Sequence, residues 1–112
     1  MVLTYGGKYI GAYFSHSNGG RTYSSEEVWG SKRNYLVARK DEWNAAAGNQ
    51  KNGHGIGLSQ VGAKYAAAHG IGYKEILSFY YPYTTIKKLE INVLVEAKAS
   101  IAAALKKIEG ML

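Results

Sequence analysis

A chain of 112 residues without cysteine holds one domain with a single modest core, and it excludes disulfides, thiolate zinc sites and cysteine nucleophiles. Its 46% hydrophobic and 20% charged content is ordinary for a globular protein, and no apolar run reaches the length of a membrane-spanning helix. Fourteen Lys and Arg against 8 Asp and Glu give a formal charge of +6, which attracts polyanions such as nucleic acid or an anionic cell wall without choosing between them.

In chain order, Val2 to Tyr5 and Tyr9 to Ser15 read as strands around Gly6-Gly7, a two-residue hairpin signal. The start, MVLTYGGKYIGAY, lacks a basic segment followed by an apolar one, so it does not read as a signal peptide. A polar loop, His16 to Ser25, follows, and Ser24 or Ser25 with Glu26 and Glu27 predicts one capped helical turn. Asn34 to Ala38 reads as a short strand, and Asn44 to Gly57 as a Gly- and Asn-rich loop. Ser59 is placed to N-cap a helix through His69 that stops at Gly70. Tyr73 to Tyr80 predicts a second short helix ended by Pro82, and Thr84 to Leu89 a returning strand. Val93 to Ile108 is Ala-rich, with Leu94, Ile101, Leu105 and Ile108 at helical spacing. The expected fold is α+β: a small antiparallel sheet with an N-terminal hairpin, covered by two short helices and a C-terminal Ala-rich helix. Residues 1–89 form the expected core and 90–112 the helix packed on it; an exposed face of that helix would allow pairing with a second copy.

Two polar loops carry the chemistry. The first, Ser15 to Trp29, places Ser17, Gly20, Arg21, Thr22, Glu26 and Glu27 close in sequence. Its Gly19-Gly20 pair lets a backbone approach a ligand, and Arg21 can pair with a carboxylate of a substrate, or of Glu26 or Glu27. The second, Asn52 to Ala63, sets His54 between glycines just before a helix N-terminus, where the amides of Ser59 to Val61 would form an anion or carbonyl site. Gln60 beside it offers both donor and acceptor. His16 and His54 are potential metal ligands, but no third ligand is suitably spaced, so neither metal nor cofactor is expected. The basic residues are scattered, with Lys87-Lys88 and Lys106-Lys107 only pairs, so nucleic acid rests on charge alone and is not the expected partner.

The blocks AYFSHSNGGRTYSSEEVWG, NGHGIGLSQVGAKYAAAHG and YKEILSFYYPYTTIKKL, in this order, resemble the C-terminal two-thirds of SpoIID/LytB domains. VLTYGGKYIGAYFS resembles the hairpin entering the first block, so the likeness covers about residues 2–89. The resemblance implies work on peptidoglycan outside the cytoplasm, in association with the cell wall. Family members include lytic transglycosylases of spore engulfment and enhancers of wall amidases. A leader removed earlier, or another export route, would reconcile that location with this N-terminus.

Two departures bear on catalysis. The family's catalytic glutamate lies in a Glu-Met-Pro segment upstream of the hairpin, and no Glu-Met-Pro occurs here. AAAGNQK spans the gap where many members carry a long insertion, so this is a minimal version. A catalytic acid would have to be Glu26 or Glu27, or Glu90 or Glu96 if the last helix replaces the missing one. Capping and an ion pair with Arg21 are the preferred roles for Glu26 and Glu27. The resemblance thus implies either cleavage of glycan strands or non-catalytic wall binding with modulation of an amidase. Substrate contacts are assigned to Ser17, Gly20, Arg21, Thr22, His54, Ser59 and Gln60. Tyr13, Trp29 and Tyr81 are candidates for stacking on sugar faces, although a core role is preferred for each.

Overall fold

The structure, a computed structural model, describes residues 2–87. The chain opens as a hairpin in which β1 (Val2–Tyr5) and β2 (Lys8–Tyr9) pair antiparallel with Thr4 opposite Tyr9. Gly6 and Gly7 turn it at φ 56° and 80°. That left-handed pair matches the strand twist and costs glycine little.

Two further pairs of two-residue strands join the loops. β3 (Phe14–Ser15) runs parallel to β6 (Leu58–Ser59), and β4 (Arg21–Thr22) runs antiparallel to β5 (Arg39–Lys40). At the other end of the described chain, β7 (Thr85–Lys87) returns to β1 with Ile86 opposite Leu3, giving an antiparallel sheet of order β2–β1–β7.

Four short helices fill the rest of the described residues. α1 (Ser25–Trp29) starts from a capping box: Ser24 accepts the Glu27 amide, and the Glu27 carboxylate accepts the Ser24 amide. α2 (Glu42–Ala47) is capped by Asp41 and stops at Gly48. α3 (Gln60–Ala68) is capped by Ser59, and His69 is its C-cap. α4 (Tyr73–Tyr80) ends at Tyr81, before a proline that cannot continue it. The α+β class, the hairpin and the limits of α3 and α4 therefore agree with the pattern in the sequence.

Three expected elements differ. Tyr9 to Ser15 is not one strand: residues 10–13 make no strand pairing, and Tyr13 N donates locally to Gly11 O at 3.0 Å between β2 and β3. Asn34 to Ala38 is a turn that buries Leu36, and β5 begins only at Arg39, whose amide donates to the Thr22 hydroxyl at 2.9 Å. Asn44 to Gly57 is helical in its first part, because the Asp41 cap starts α2 ahead of the glycines. The expected helix from Val93 to Ile108 and the boundary after residue 89 lie outside the described residues.

The apolar core is small. Leu36, Ile56, Ala66, Ile76, Tyr80 and Tyr81 are buried, with Leu3, Trp43, Leu58 and Leu77 packed around them. Buried polar side chains are as prominent: Thr4, Ser15, Ser17, Asn18, Thr22, Ser25, Asp41, Asn44 and Ser59. Burying polar groups costs free energy unless each is paired, so their partners decide whether this interior holds.

Candidate functional site

The two polar loops run side by side. Ser17 and Asn52 exchange backbone hydrogen bonds at 3.3 and 2.8 Å, and Tyr23 N donates to Gly55 O at 2.9 Å. Val61 N donates to His16 O at 3.1 Å, and β3 pairs with β6 just before α3.

A buried polar hub lies beneath this seam. The Asp41 carboxylate accepts Asn18 Nδ2 and Tyr80 Oη, both at 2.8 Å, and the Asn44 amide at 3.1 Å. Asn44 Oδ1 accepts the Asn18 amide at 3.0 Å and the Ser59 hydroxyl, while its Nδ2 donates to Ser17 Oγ at 3.0 Å. Ser59 Oγ in turn accepts Gly62 N at 3.0 Å. The hub therefore ties the first loop to α2, α3 and α4. Burial, followed by the hydrogen bond to Asp41, pushes the Tyr80 hydroxyl well above the usual tyrosine range, so it remains a neutral donor.

This hub determines where several predicted site residues face. Ser17, Thr22 and Ser59 are buried, with hydroxyls engaged inside the protein; Thr22 Oγ1 donates to Val37 O at 2.8 Å. Gly20 is half-buried, its amide donating to Asn18 Oδ1 and its carbonyl accepting Asp41 N, both at 2.9 Å. Of the amides expected to form an anion site at the start of α3, that of Val61 is taken by His16 O, and the next one, Gly62 N, is taken by the Ser59 cap.

The solvent-facing side of the seam is aromatic and basic. Trp29 lies 4.8 Å from Tyr13 and 5.5 Å from His54 between ring centres, all edge-on. Tyr13 and Trp29 are each 47% exposed, so the preferred core role is wrong for both and holds only for Tyr81, at 2%. Tyr81 is the post beneath them: its hydroxyl donates to Tyr13 O at 2.6 Å, and burial pushes its pKa up to about 12. His54 Nδ1 accepts Ile56 N at 2.8 Å, which leaves Nε2 carrying the hydrogen of the neutral ring.

Beside this trio, the Arg21 guanidinium lies 3.9 Å from the centre of the Tyr23 ring and Lys51 Nζ lies 4.7 Å from it. Arg21 selects Glu27 as its partner, with Nη2 donating to Oε2 at 2.9 Å. The bond to Arg21, then that from the Ser24 amide, holds the Glu27 carboxyl below the usual glutamate range. A general acid at neutral pH needs the opposite shift. Glu26 is exposed on α1, and Gln60 is exposed on the wall of a separate apolar groove. Among the described residues, no group of three His, Cys, Asp or Glu side chains could hold a metal ion.

Reasoning from sequence missed Asn18, Asp41, Asn44 and Tyr80 as organisers of the site, and Tyr23 and Lys51 on its surface. Asp41 was the findable one, standing three residues before Asn44 at the start of an Ala-rich turn, a helix-cap spacing.

A stretch of 55 residues, 49% of this chain, is 46% identical to part of the amidase enhancer of Bacillus subtilis (strain 168). No family model matches the chain. The matched stretch is 8% of that relative's length, so the likeness is to one small part of a much larger protein.

Proposed function

We propose that this chain is a non-catalytic cell-wall module of the SpoIID/LytB kind, which binds peptidoglycan glycan through the joined loops and modulates a wall amidase. The carrying observation is the cluster of exposed Tyr13 and Trp29 with half-buried His54, beside Arg21 and Lys51, on a seam braced by a buried hub. Aromatic faces stack on sugar rings, the His54 Nε2 hydrogen suits a carbonyl acceptor, and the cations suit anionic wall polymers. The likeness to part of an amidase enhancer supports the same direction.

A modulating role is preferred to glycan cleavage because Glu27 is ion-paired and held ionised. The site residues keep distinct roles in this reading. Arg21 and His54 meet ligand, whereas Ser17, Gly20, Thr22 and Ser59 shape the loops from inside.

Cosedimentation with purified peptidoglycan at low salt, with analysis of soluble products, tests the proposal. The expected result is a pelleted protein, unaffected by joint Glu26→Gln and Glu27→Gln replacement, with no anhydro-sugar released and a changed rate of added wall amidase. Protein left in the supernatant overturns wall binding. An anhydro-sugar product lost on Glu26→Gln replaces modulation with transglycosylase chemistry.

A further inference from the structure

A cleft of about 540 Å³ lies between the N-terminal hairpin and residues 32–35. The hairpin contributes Lys8 to it, and the segment before β5 contributes Lys32 and Arg33. These cations are far apart in the sequence and meet only in the fold. All three are exposed, and no Asp or Glu lines the described wall. The two ion pairs among the described residues, Arg21–Glu27 and Lys40–Glu42, include none of them. Like charges gathered without a counter-charge repel one another, and a multivalent anion removes that repulsion.

The two sides of the cleft are fixed to each other. Asn34 Nδ2 donates to Tyr5 Oη at 2.6 Å, and the Tyr5 and Tyr35 rings lie 5.4 Å apart between centres. In the hairpin Lys8 pairs opposite Tyr5, which puts both side chains on one face. The 32–35 segment is held in turn by α1, because Arg33 N donates to the buried Ser25 hydroxyl at 2.9 Å and Ser25 N to Leu36 O at 3.1 Å. The backbone that bears the cations is therefore set before a ligand arrives, which lowers the ordering cost of binding.

We infer that this cleft binds the phosphodiester backbone of an anionic polyol-phosphate polymer of the wall. Arg33 and the two lysines supply charged N–H donors for phosphate oxygens. The phosphodiester chemistry rests on the cleft, whereas its source in the wall rests on the function proposed above. Three cations in one cleft are fewer than the basic stripe that a nucleic-acid surface carries. The site is separate from the glycan face, since Tyr13, Trp29, His54, Arg21 and Lys51 do not line it.

Calorimetric titration of the full chain with purified poly(glycerol phosphate) tests the inference, and pelleting on peptidoglycan stripped of phosphate polymers tests the glycan face separately. A Lys8→Ala/Lys32→Ala variant is compared with Lys64→Ala/Lys74→Ala, which removes two exposed lysines outside the cleft and changes the net charge equally. Circular dichroism confirms that both variants fold. The cleft variant is expected to bind the polymer about tenfold more weakly, the loss of one or two charge-assisted hydrogen bonds, and to pellet on stripped peptidoglycan like wild type. The control variant is expected to stay within about twofold of wild type, because salt screens charges outside the cleft. No polymer binding by wild type, equal losses in the two variants, or an oligothymidylate of equal charge bound as tightly as the polymer each overturns the inference. Failure to pellet on stripped peptidoglycan, with cleft-dependent polymer binding intact, overturns glycan binding and supports the cleft assignment.

Discussion

Tyr80 Oη donates to Asp41 Oδ2 at 2.8 Å inside the protein, and the missing side chain of Gly62 leaves room for that approach. A Cβ at position 62 would collide with the Tyr80 hydroxyl. The loops above this pair owe their shape to it, because the same carboxylate holds Asn18 and caps α2.

Tyr80→Phe removes one donor from a buried carboxylate and is expected to cost about 1–3 kcal/mol of stability. Gly62→Ala is expected to destabilise through the collision. In the double variant the clashing hydroxyl is gone, so the two costs should sum to more than the measured total. Urea unfolding of the four proteins checks this, and strict additivity would show that the two residues are not coupled through this contact.

At low pH the Arg21–Glu27 pair is one acid-sensitive element. Its carboxyl pKa is lowered in the folded protein, so its contribution is complete above the unfolded value of about 4.3. That contribution is lost as pH falls through the lower folded value. Wild type should therefore lose more thermal stability than Glu27→Gln between neutral and acid pH, and NMR should place the Glu27 carboxyl midpoint below the ordinary glutamate range.

The alkaline limit has the opposite sign. Tyr81 is raised to about 12 by burial, so its neutral hydroxyl supports folding fully below the ordinary tyrosine value of about 10. That support declines as pH climbs from there through about 12. Tyr81→Phe should flatten the fall in melting temperature over this range while lowering stability near neutrality, where the bond to Tyr13 O is lost.

Trp29 is half-exposed at the end of α1, so Trp29→Ala should leave the fold intact by circular dichroism. Loss of one aromatic stacking partner, about 0.5–1.5 kcal/mol, should weaken glycan binding by roughly 2- to 12-fold. Titration with soluble peptidoglycan fragments, followed by tryptophan fluorescence in the wild type and by calorimetry in both proteins, measures it. Equal affinity would remove Trp29 from the binding face.

What the residues alone determined is the local part of this protein. Gly6-Gly7 specifies its turn, Ser59 its cap, and the α4 stretch its end before Pro82, because each depends on neighbours a few residues away. The closeness in sequence of Arg21 to Glu27, and of His54 to a helix start, was legible for the same reason. Only the tertiary structure decided which polar residues face inward. Ser17, Asn18 and Thr22 find their partners at Asn44, Asp41 and Val37, 15 to 27 residues away, and Tyr80 reaches Asp41 across 39. A hydroxyl or amide reads the same in sequence whether it meets solvent or a distant carboxylate, and the packing of α2 against α3 settles which it meets.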